Sequence, residues 1–369
     1  MKRILFLNWR CPKNKKSGGA EYVSFELLKQ LVKEKYEVVW FATTFSGAKK
    51  TEVLDGVTIV RAGNSLTVQK EARKYYQQNS NFDLIIDQYH GVPFFSFRFA
   101  LCPVLFYVNE TAGVIANQML PFGLGYIYRA LEALFIKLYA NVPAVTISNS
   151  TTKDLRALGH KASIKTMRLA CDTKPLAKLP PFSSKEKELT FIFAARLVPL
   201  KRPEEAIKMM SYLLKKEPQA KLWILGDGEQ KYVDKLKGLA SKLKISPQVI
   251  FKGFVSLKEK QNLMSKAHIV LITSIKEGWG LTVPEANALG TVGVTYDIAG
   301  VRDSNEHNKT GLLTKQNNPQ SLAKTSLDLW HDKKKYEQLR IQAHARAKER
   351  TWQKTYQDFK EAIDSVIKK

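Results

Sequence analysis

The sequence predicts an α/β protein of two Rossmann-like domains, and three observations carry that expectation. Its 369 residues are long for a single hydrophobic core. From residue 2 to residue 170, short apolar runs of strand length alternate with helix-length segments, and the runs are apolar on both faces, as in parallel strands covered by helices. After a stretch rich in Lys and Pro at 173–187, the same alternation begins again at residue 189.

Taken in order, Lys2–Leu7 (KRILFL) reads as the first strand. The apolar run Ile4–Leu7 is broken at Asn8 and Arg10, too short for a signal peptide. Gly18-Gly19-Ala20-Glu21 then opens a helix with apolar residues at Val23, Leu27, Leu28 and Leu31. Paired glycines at a strand-to-helix turn allow a ligand close to the backbone. Tyr36–Ala42, Val57–Arg61 and Asp83–Asp87 follow as strands, with a polar helix over Thr67–Gln78. The chain leaves the last of these through Gln88, Tyr89, His90 and Gly91, a strand end where open α/β sheets place ligands. His90 is the best-placed histidine of the chain, although a loop histidine bonded to nearby backbone reads equally well.

Val104–Val108 is a strand ending in Asn109, Glu110 and Thr111. Met119–Tyr139 reads as one apolar helix, either a core helix or a segment lying on a lipid surface. Val142–Ser148 is a strand, Ser150-Thr151-Thr152 starts a helix that stops at Gly159, and Ile164–Ala170 is the last strand of the half. Thr173–Lys187 reads as the interdomain linker.

In the second half, Leu189–Ala194 is a strand ending in a loop that carries Arg196 and Lys201. Two cations five positions apart can clamp a diphosphate, the arginine as a fork and the lysine as a point charge. Ala220–Leu225 leads to the turn at Gly226, and Val249–Lys252 leads to Phe254 and Val255. His268 lies in an apolar strand and reads as a core histidine. Next comes Thr273–Gly290 (TSIKEGWGLTVPEANALG), strand to loop to short helix, with Pro284 as first helical residue and Gly290 as the stop. It sets Glu277 in the loop and Glu285 in the first helical turn. The backbone N–H groups of Gly280, Leu281 and Thr282 would point at an anion such as phosphate. Carboxylates on both sides of such a nest suit hydroxyl-bearing ligands, sugar and ribose. Val292–Tyr296 and Gly311–Leu313 complete the sheet, and helices follow over Pro319–Trp330, Asp332 to about Lys348, and Trp352–Lys369.

Composition bounds the function. With 44% hydrophobic and 25% charged residues the chain is ordinary globular protein. Three cysteines, Cys11, Cys102 and Cys171, share no short spacing, which points away from disulfides or a zinc site and toward a reducing, cytoplasmic setting. No run approaches the roughly 20 apolar residues of a membrane span. The net charge of +25 is spread over both halves, with 23 Lys and Arg against 13 Asp and Glu in residues 1–172. No helix-turn-helix, zinc-finger or RNP pattern accompanies it, so nucleic acid is not an expected partner. Anionic substrates, or peripheral contact with the anionic inner face of a membrane, fit the charge.

The segment Glu277-Gly-Trp-Gly-Leu-Thr-Val-Pro-Glu285 resembles the two-glutamate signature of glycosyltransferase family 4, and Ser274, Ala286 and Gly290 are similar to its flanking pattern. The resemblance implies retaining enzymes of the GT-B fold, two Rossmann-like domains facing across a cleft, with a C-terminal helix crossing back to the N-terminal domain. On that basis residues 1–172 would bind acceptor, 189–348 the nucleotide sugar, and 349–369 would form the returning helix. The loop at Gly18 and Gly19 would lie over the donor phosphates or acceptor, and Arg196 and Lys201 match the family's Arg-x4-Lys element. Gly226 would border the nucleotide, and backbone at Phe254 and Val255 would read the base edge. Glu277 would hold the donor sugar's hydroxyls and Glu285 those of the ribose.

Many members carry a histidine, near the donor sugar's ring, where this chain has Asn109. That role does not carry over directly, and Glu110 or His90 are candidates for it. Likewise Ala170 stands where members have glycine, while Asp172 is kept. The reading implies no cofactor beyond a UDP- or GDP-linked sugar as co-substrate, and no metal, since no Asp-x-Asp motif falls in the site. Two alternatives stay open: a polyanion- or membrane-surface-binding protein on the same scaffold, and a nucleotide-sugar epimerase.

Overall fold

A computed structural model describes residues 1–367, so the last two residues of the expected final helix lie outside it. The chain divides into two compact units, Met1–Leu169 with the segment from Trp352 on, and Ala170–Thr351.

The first unit is built on eight strands: β1 (Arg3–Leu7), β2 (Glu37–Ala42), β3 (Thr51–Leu54), β4 (Val57–Arg61), β5 (Leu84–Tyr89), β6 (Val104–Val108), β7 (Ala144–Thr146) and β8 (Ile164–Thr166). Their order is β3-β4-β2-β1-β5-β6-β7-β8. Strand β1 is central, and Ile4, Leu5, Phe6 and Leu7 are wholly buried, which requires helices on both faces. These include α1 (Gly19–Lys33), α2 (Val68–Gln78), α3 (Ala116–Met119), α4 (Leu124–Leu138) and α5 (Asn149–Ala157).

The second unit is a six-stranded parallel sheet of β9 (Thr190–Ala194), β10 (Lys221–Leu225), β11 (Val249–Gly253), β12 (Ile269–Ile272), β13 (Val292–Thr295) and β14 (Gly311–Leu313), ordered β11-β10-β9-β12-β13-β14. Its helices are α6 (Pro203–Leu213), α7 (Gln230–Lys242), α8 (Leu257–Lys266), α9 (Thr282–Ala288), α10 (Val301–Ser304), α11 (Pro319–His331) and α12 (Lys333–Glu349). Phe191, Ile192, Leu222, Ile224, Val270 and Met210 anchor one continuous core; each such side chain contributes roughly 1.5–3 kcal/mol on full burial. The expected core histidine, His268, is buried there. Its Nδ1 accepts the Thr190 N–H at 3.1 Å, and burial, with Lys185 and Lys333 nearby, pulls its pKa down to about 3.

The final helix, α13 (Trp352–Ile367), packs against α1, β6 and β8 of the first unit. Asp358 holds it there. Its carboxylate accepts from the Arg168 N–H at 2.8 Å and from the Arg168 guanidinium at 2.9 and 2.8 Å.

Several elements differ from the sequence expectation, each for a local reason. Strand β8 stops at Thr166, because the Arg168 N–H goes to Asp358 instead of to a neighbouring strand. The helix expected over Met119–Tyr139 is two helices, α3 and α4, with Phe122 at φ +54° and Gly123 at φ +76° between them. Two successive left-handed residues cannot continue a right-handed helix. The first sheet is not wholly parallel: β3 pairs antiparallel with β4 across Asp55-Gly56, a two-residue hairpin turn whose sequence signal is that dipeptide. Strand β5 runs on to Tyr89, so Asp87 is not at a strand end. It is fully buried and accepts from Ser96 Oγ at 2.7 Å and from the Ser96 N–H at 3.1 Å.

The stretch expected to be the interdomain linker lies on the second unit. Arg340, His344 and Lys348, one turn apart along α12, bond to the carbonyls of Pro180, Leu176 and Ala177 at 3.0, 2.8 and 2.8 Å. Lys185 is buried beneath it, its Nζ donating to the Ala267 carbonyl at 2.6 Å, to Thr291 Oγ1 at 3.0 Å and to the Ser265 carbonyl at 3.2 Å.

Candidate functional site

In an open α/β sheet, ligands bind where the strand order reverses, since loops leaving the two neighbouring strands diverge there and open a crevice. In the second unit that point lies between β9 and β12. The loop after β9 carries Arg196 and Lys201; the loop after β12 carries Glu277. Two hydrogen bonds stitch the loops together, the Ile275 N–H donating to the Leu200 carbonyl at 3.1 Å and the Thr273 side-chain Oγ1 to the Arg202 carbonyl at 2.8 Å.

Within this crevice Lys201 Nζ lies 2.6 Å from Glu277 Oε1, and Ser274 Oγ donates to the same oxygen at 2.6 Å. Glu277 is thus held in one orientation. Arg196 is exposed and carries no ion pair among the described residues. Gly226 sits directly beneath the Arg196 loop at φ +124°, and a Cβ there would fall 2.0 Å from the Ala195 carbonyl oxygen. Only glycine permits that approach, so Gly226 acts on the site through backbone packing.

Helix α9 begins at Thr282, so Pro284 is its third residue and not its first. The Val283 N–H bonds to the Gly280 carbonyl, which adds a tight turn before the helix proper. The N–H groups of Gly280, Leu281 and Thr282 reach no backbone carbonyl among the described residues. The Thr282 side chain, by contrast, is used, donating to the Ala194 carbonyl at 3.1 Å.

Glu285, one turn into α9, is paired with a residue that sequence reasoning missed. Lys260 Nζ lies 2.8 Å from both of its carboxylate oxygens. Burial pushes the Glu285 carboxyl above its ordinary range, Lys260 opposes that, and Asp172 adds to the rise. Lys260 is on α8, immediately beyond Phe254 and Val255, of which Phe254 is 81% exposed. In a chain with 59 Lys and Arg, nothing local marks this lysine out. Its partner is 25 residues away and is met only because α8 and α9 pack together.

The first unit gathers the remaining candidates about its own reversal, between β1 and β5. Trp9 follows β1 and His90 follows β5, with their rings 5.4 Å apart. Gly18 caps α1, and its N–H donates to Glu21 Oε2 at 2.7 Å. Asn109, just after β6, is 5% exposed, and both polar atoms of its side-chain amide are buried with no hydrogen-bond partner among the described residues. Buried polar groups of this kind take a partner, either an ordered water or another molecule. Glu110 is next to it and half-buried. Glu132 of α4 is buried. It accepts from the N–H groups of Ala112 and Gly113 at 2.6 and 2.8 Å, so it fixes the loop that follows Glu110.

Known proteins resemble this chain. Residues 178–346 match the family described as Glycosyl transferases group 1. An uncharacterised glycosyltransferase of Methanocaldococcus jannaschii is 26% identical over 208 residues, 53% of each chain, so the chain spans about half the length of this curated relative. Among solved structures, sucrose-phosphate synthase from Thermosynechococcus elongatus superposes with a TM-score of 0.81 at 16% identity, covering 100% of both chains. An Anabaena protein, HepE, solved with UDP-glucose, gives a TM-score of 0.75 at 18% identity, also over 100% of both. At these identities the likeness shows the fold, which is GT-B. Among the described residues no group of three or more His, Cys, Asp or Glu side chains is arranged to hold a metal ion.

Proposed function

We propose that the chain is a retaining glycosyltransferase of family 4 type that moves a sugar from a nucleoside-diphosphate sugar, UDP- or GDP-linked, to a hydroxyl acceptor. The observation that carries this reading is the second unit's crevice. Two glutamates there are each held by a lysine, with the unpaired cation Arg196 on the adjoining loop. Arg196 and Lys201 take the diphosphate, with the N–H groups of Gly280, Leu281 and Thr282 adding donors. Glu277 accepts from hydroxyls of the transferred sugar, and Glu285 from those of the ribose. Phe254 and Val255 border the base.

In the reaction, the bond from the anomeric carbon to the leaving phosphate oxygen breaks as the acceptor oxygen bonds to that carbon from the same face. The acceptor's proton passes to the departing phosphate oxygen. Charge develops on the diphosphate, and two positioned cations stabilise it without a divalent metal. Lys260 donates to both Glu285 oxygens and opposes the rise in proton affinity that burial causes, which favours the form that accepts hydrogen bonds. The first unit binds the acceptor, and Asn109 offers its unpaired amide to substrate.

A melting-temperature panel of UDP-, GDP- and ADP-sugars tests the reading. A true donor at 100 times its Kd adds roughly 2.7 kcal/mol of stability. The expected result is a shift with one nucleotide series that Glu285→Gln reduces. No shift with any series would overturn the assignment, and product analysis with and without an acceptor separates transfer from epimerisation.

A further inference from the structure

The α3–α4 hairpin presents an apolar face to water that the transferase reading leaves unused. Leu124, Ile127, Leu131 and Leu134 are 47, 59, 42 and 50% exposed, and at spacings of three and four they form one stripe along α4. Phe122, at the tip before the helix, is 98% exposed. Monomeric soluble proteins rarely leave so many neighbouring large apolar side chains in water, and such patches mark interaction sites.

The hairpin is firmly built. Gly125 lies so close to the preceding helix that a Cβ would fall 2.4 Å from the Asn117 Cα. Glu132 ties α4 to the loop at Ala112 and Gly113. The stripe is therefore presented by a packed element and is not the exposed side of a poorly formed core.

Charge selects the occupant. Glu132 is the only acidic residue between 116 and 138, and it is buried and committed internally. The exposed charges of the segment are Arg129 and Lys137, and residues 1–172 carry 23 Lys and Arg against 13 Asp and Glu. Lys137, three residues beyond Leu134, flanks the stripe, Arg129 lies on the opposite side of the helix, and no exposed acidic residue falls within 116–138. An apolar stripe with a cationic flank is the pattern of a helix lying in a membrane interface, its side chains among the acyl chains and its cation at the headgroups. Among the described residues no helix is long and apolar enough to cross a membrane. We propose that the first unit docks on an anionic bilayer surface through Phe122 and the Leu124–Leu134 face of α4. The proposal does not depend on the transferase reading, and its test uses no nucleotide.

The full chain is mixed with vesicles of phosphatidylcholine alone, or of phosphatidylcholine with phosphatidylglycerol, and the bound fraction is read by flotation. Binding is expected to the anionic vesicles. It should fall roughly five-fold for Lys137→Gln, which flanks the stripe, and less for Arg129→Gln, on the opposite side of the helix. The double change Ile127→Gln with Leu131→Gln should lower it by roughly ten-fold or more. Phe122→Ser, in the loop, should weaken binding independently of helix integrity, and circular dichroism checks the fold of every variant. Binding to neither vesicle overturns the proposal. So does binding that ignores the apolar changes, since net charge alone would then account for it. Self-association that the Ile127 and Leu131 changes abolish, without vesicle binding, would assign the face to a second copy of the chain.

Discussion

The pair formed by Lys260 and Glu285 offers the sharpest test, because it joins stability, titration and ligand binding at one buried carboxylate. Replacing Lys260 with Met keeps the side chain's length and apolar stem but removes two hydrogen bonds of 2.8 Å. Glu285 keeps 12% side-chain exposure and gains no alternative cation, with Asp172 still raising its proton affinity. Removing one partner of a buried ion pair costs about 3–5 kcal/mol. Lys260 itself is 26% exposed, so solvent screens part of the interaction and ~2–3 kcal/mol is the expected loss. For a unit of this size that corresponds to a fall of about 5–10 °C in melting temperature, at ~2–4 °C per kcal/mol.

The sign with pH identifies the cause. A carboxyl whose folded pKa is raised binds its proton more tightly when folded, so lowering the pH through that pKa adds stability. The Lys260→Met deficit should therefore shrink as the pH is lowered and Glu285 becomes protonated. Nucleoside diphosphate affinity should fall, by at most the roughly 10- to 150-fold expected when a charged acceptor is lost outright. The double variant with Glu285→Gln should cost less than the sum of the single variants. Calorimetric melting across pH, with titration of nucleoside diphosphate, measures all three. A pH-independent deficit together with unchanged nucleotide affinity would refute the reasoning and reduce Lys260 to a packing residue.

Arg196→Ala should lower transfer by roughly 10²–10³-fold with no loss of melting temperature, the scale for one transition-state contact; near-normal turnover removes it from the diphosphate clamp. Glu277→Gln should depress turnover and leave nucleoside diphosphate affinity nearly unchanged, the reverse of Glu285→Gln for binding, and calorimetry beside rate measurements decides between the two roles. Transfer should survive EDTA, because cations of the chain supply the charge; activity restored only by Mg²⁺ or Mn²⁺ would contradict this. Burial, with Arg340 adding repulsion, lowers Lys185 to about 7. Between that value and its unfolded pKa the unfolded chain binds the extra proton, so stability should rise with pH there by at most about 1.4 kcal/mol per pH unit. The rise should be smaller in Lys185→Met, as melting curves at pH 7 to 9 will show.

Much of this molecule is written locally. Apolar runs such as Leu5–Leu7 and Ile269–Ile272 specify buried strands by composition alone, because both of their faces are covered. Glu277 and Glu285 sit in one short loop-and-helix segment, and Arg196 and Lys201 in another, so spacing alone groups each pair. What the tertiary structure decided are meetings between distant residues. Lys260 reaches Glu285 because α8 packs on α9, and Lys201 reaches Glu277 across 76 residues because β9 and β12 are neighbours in the sheet. Carbonyls of the 176–180 stretch bind α12 only where that helix lies alongside them, so Lys and Pro content alone read as an interdomain linker. The burial of Glu132, and with it the lack of an exposed acidic residue on this apolar helix, likewise follows from which face of α4 the first unit covers. Periodicity and turn chemistry act over a few residues and are legible in order along the chain. Strand order and helix packing act across the whole sheet, and they decide which charges become partners.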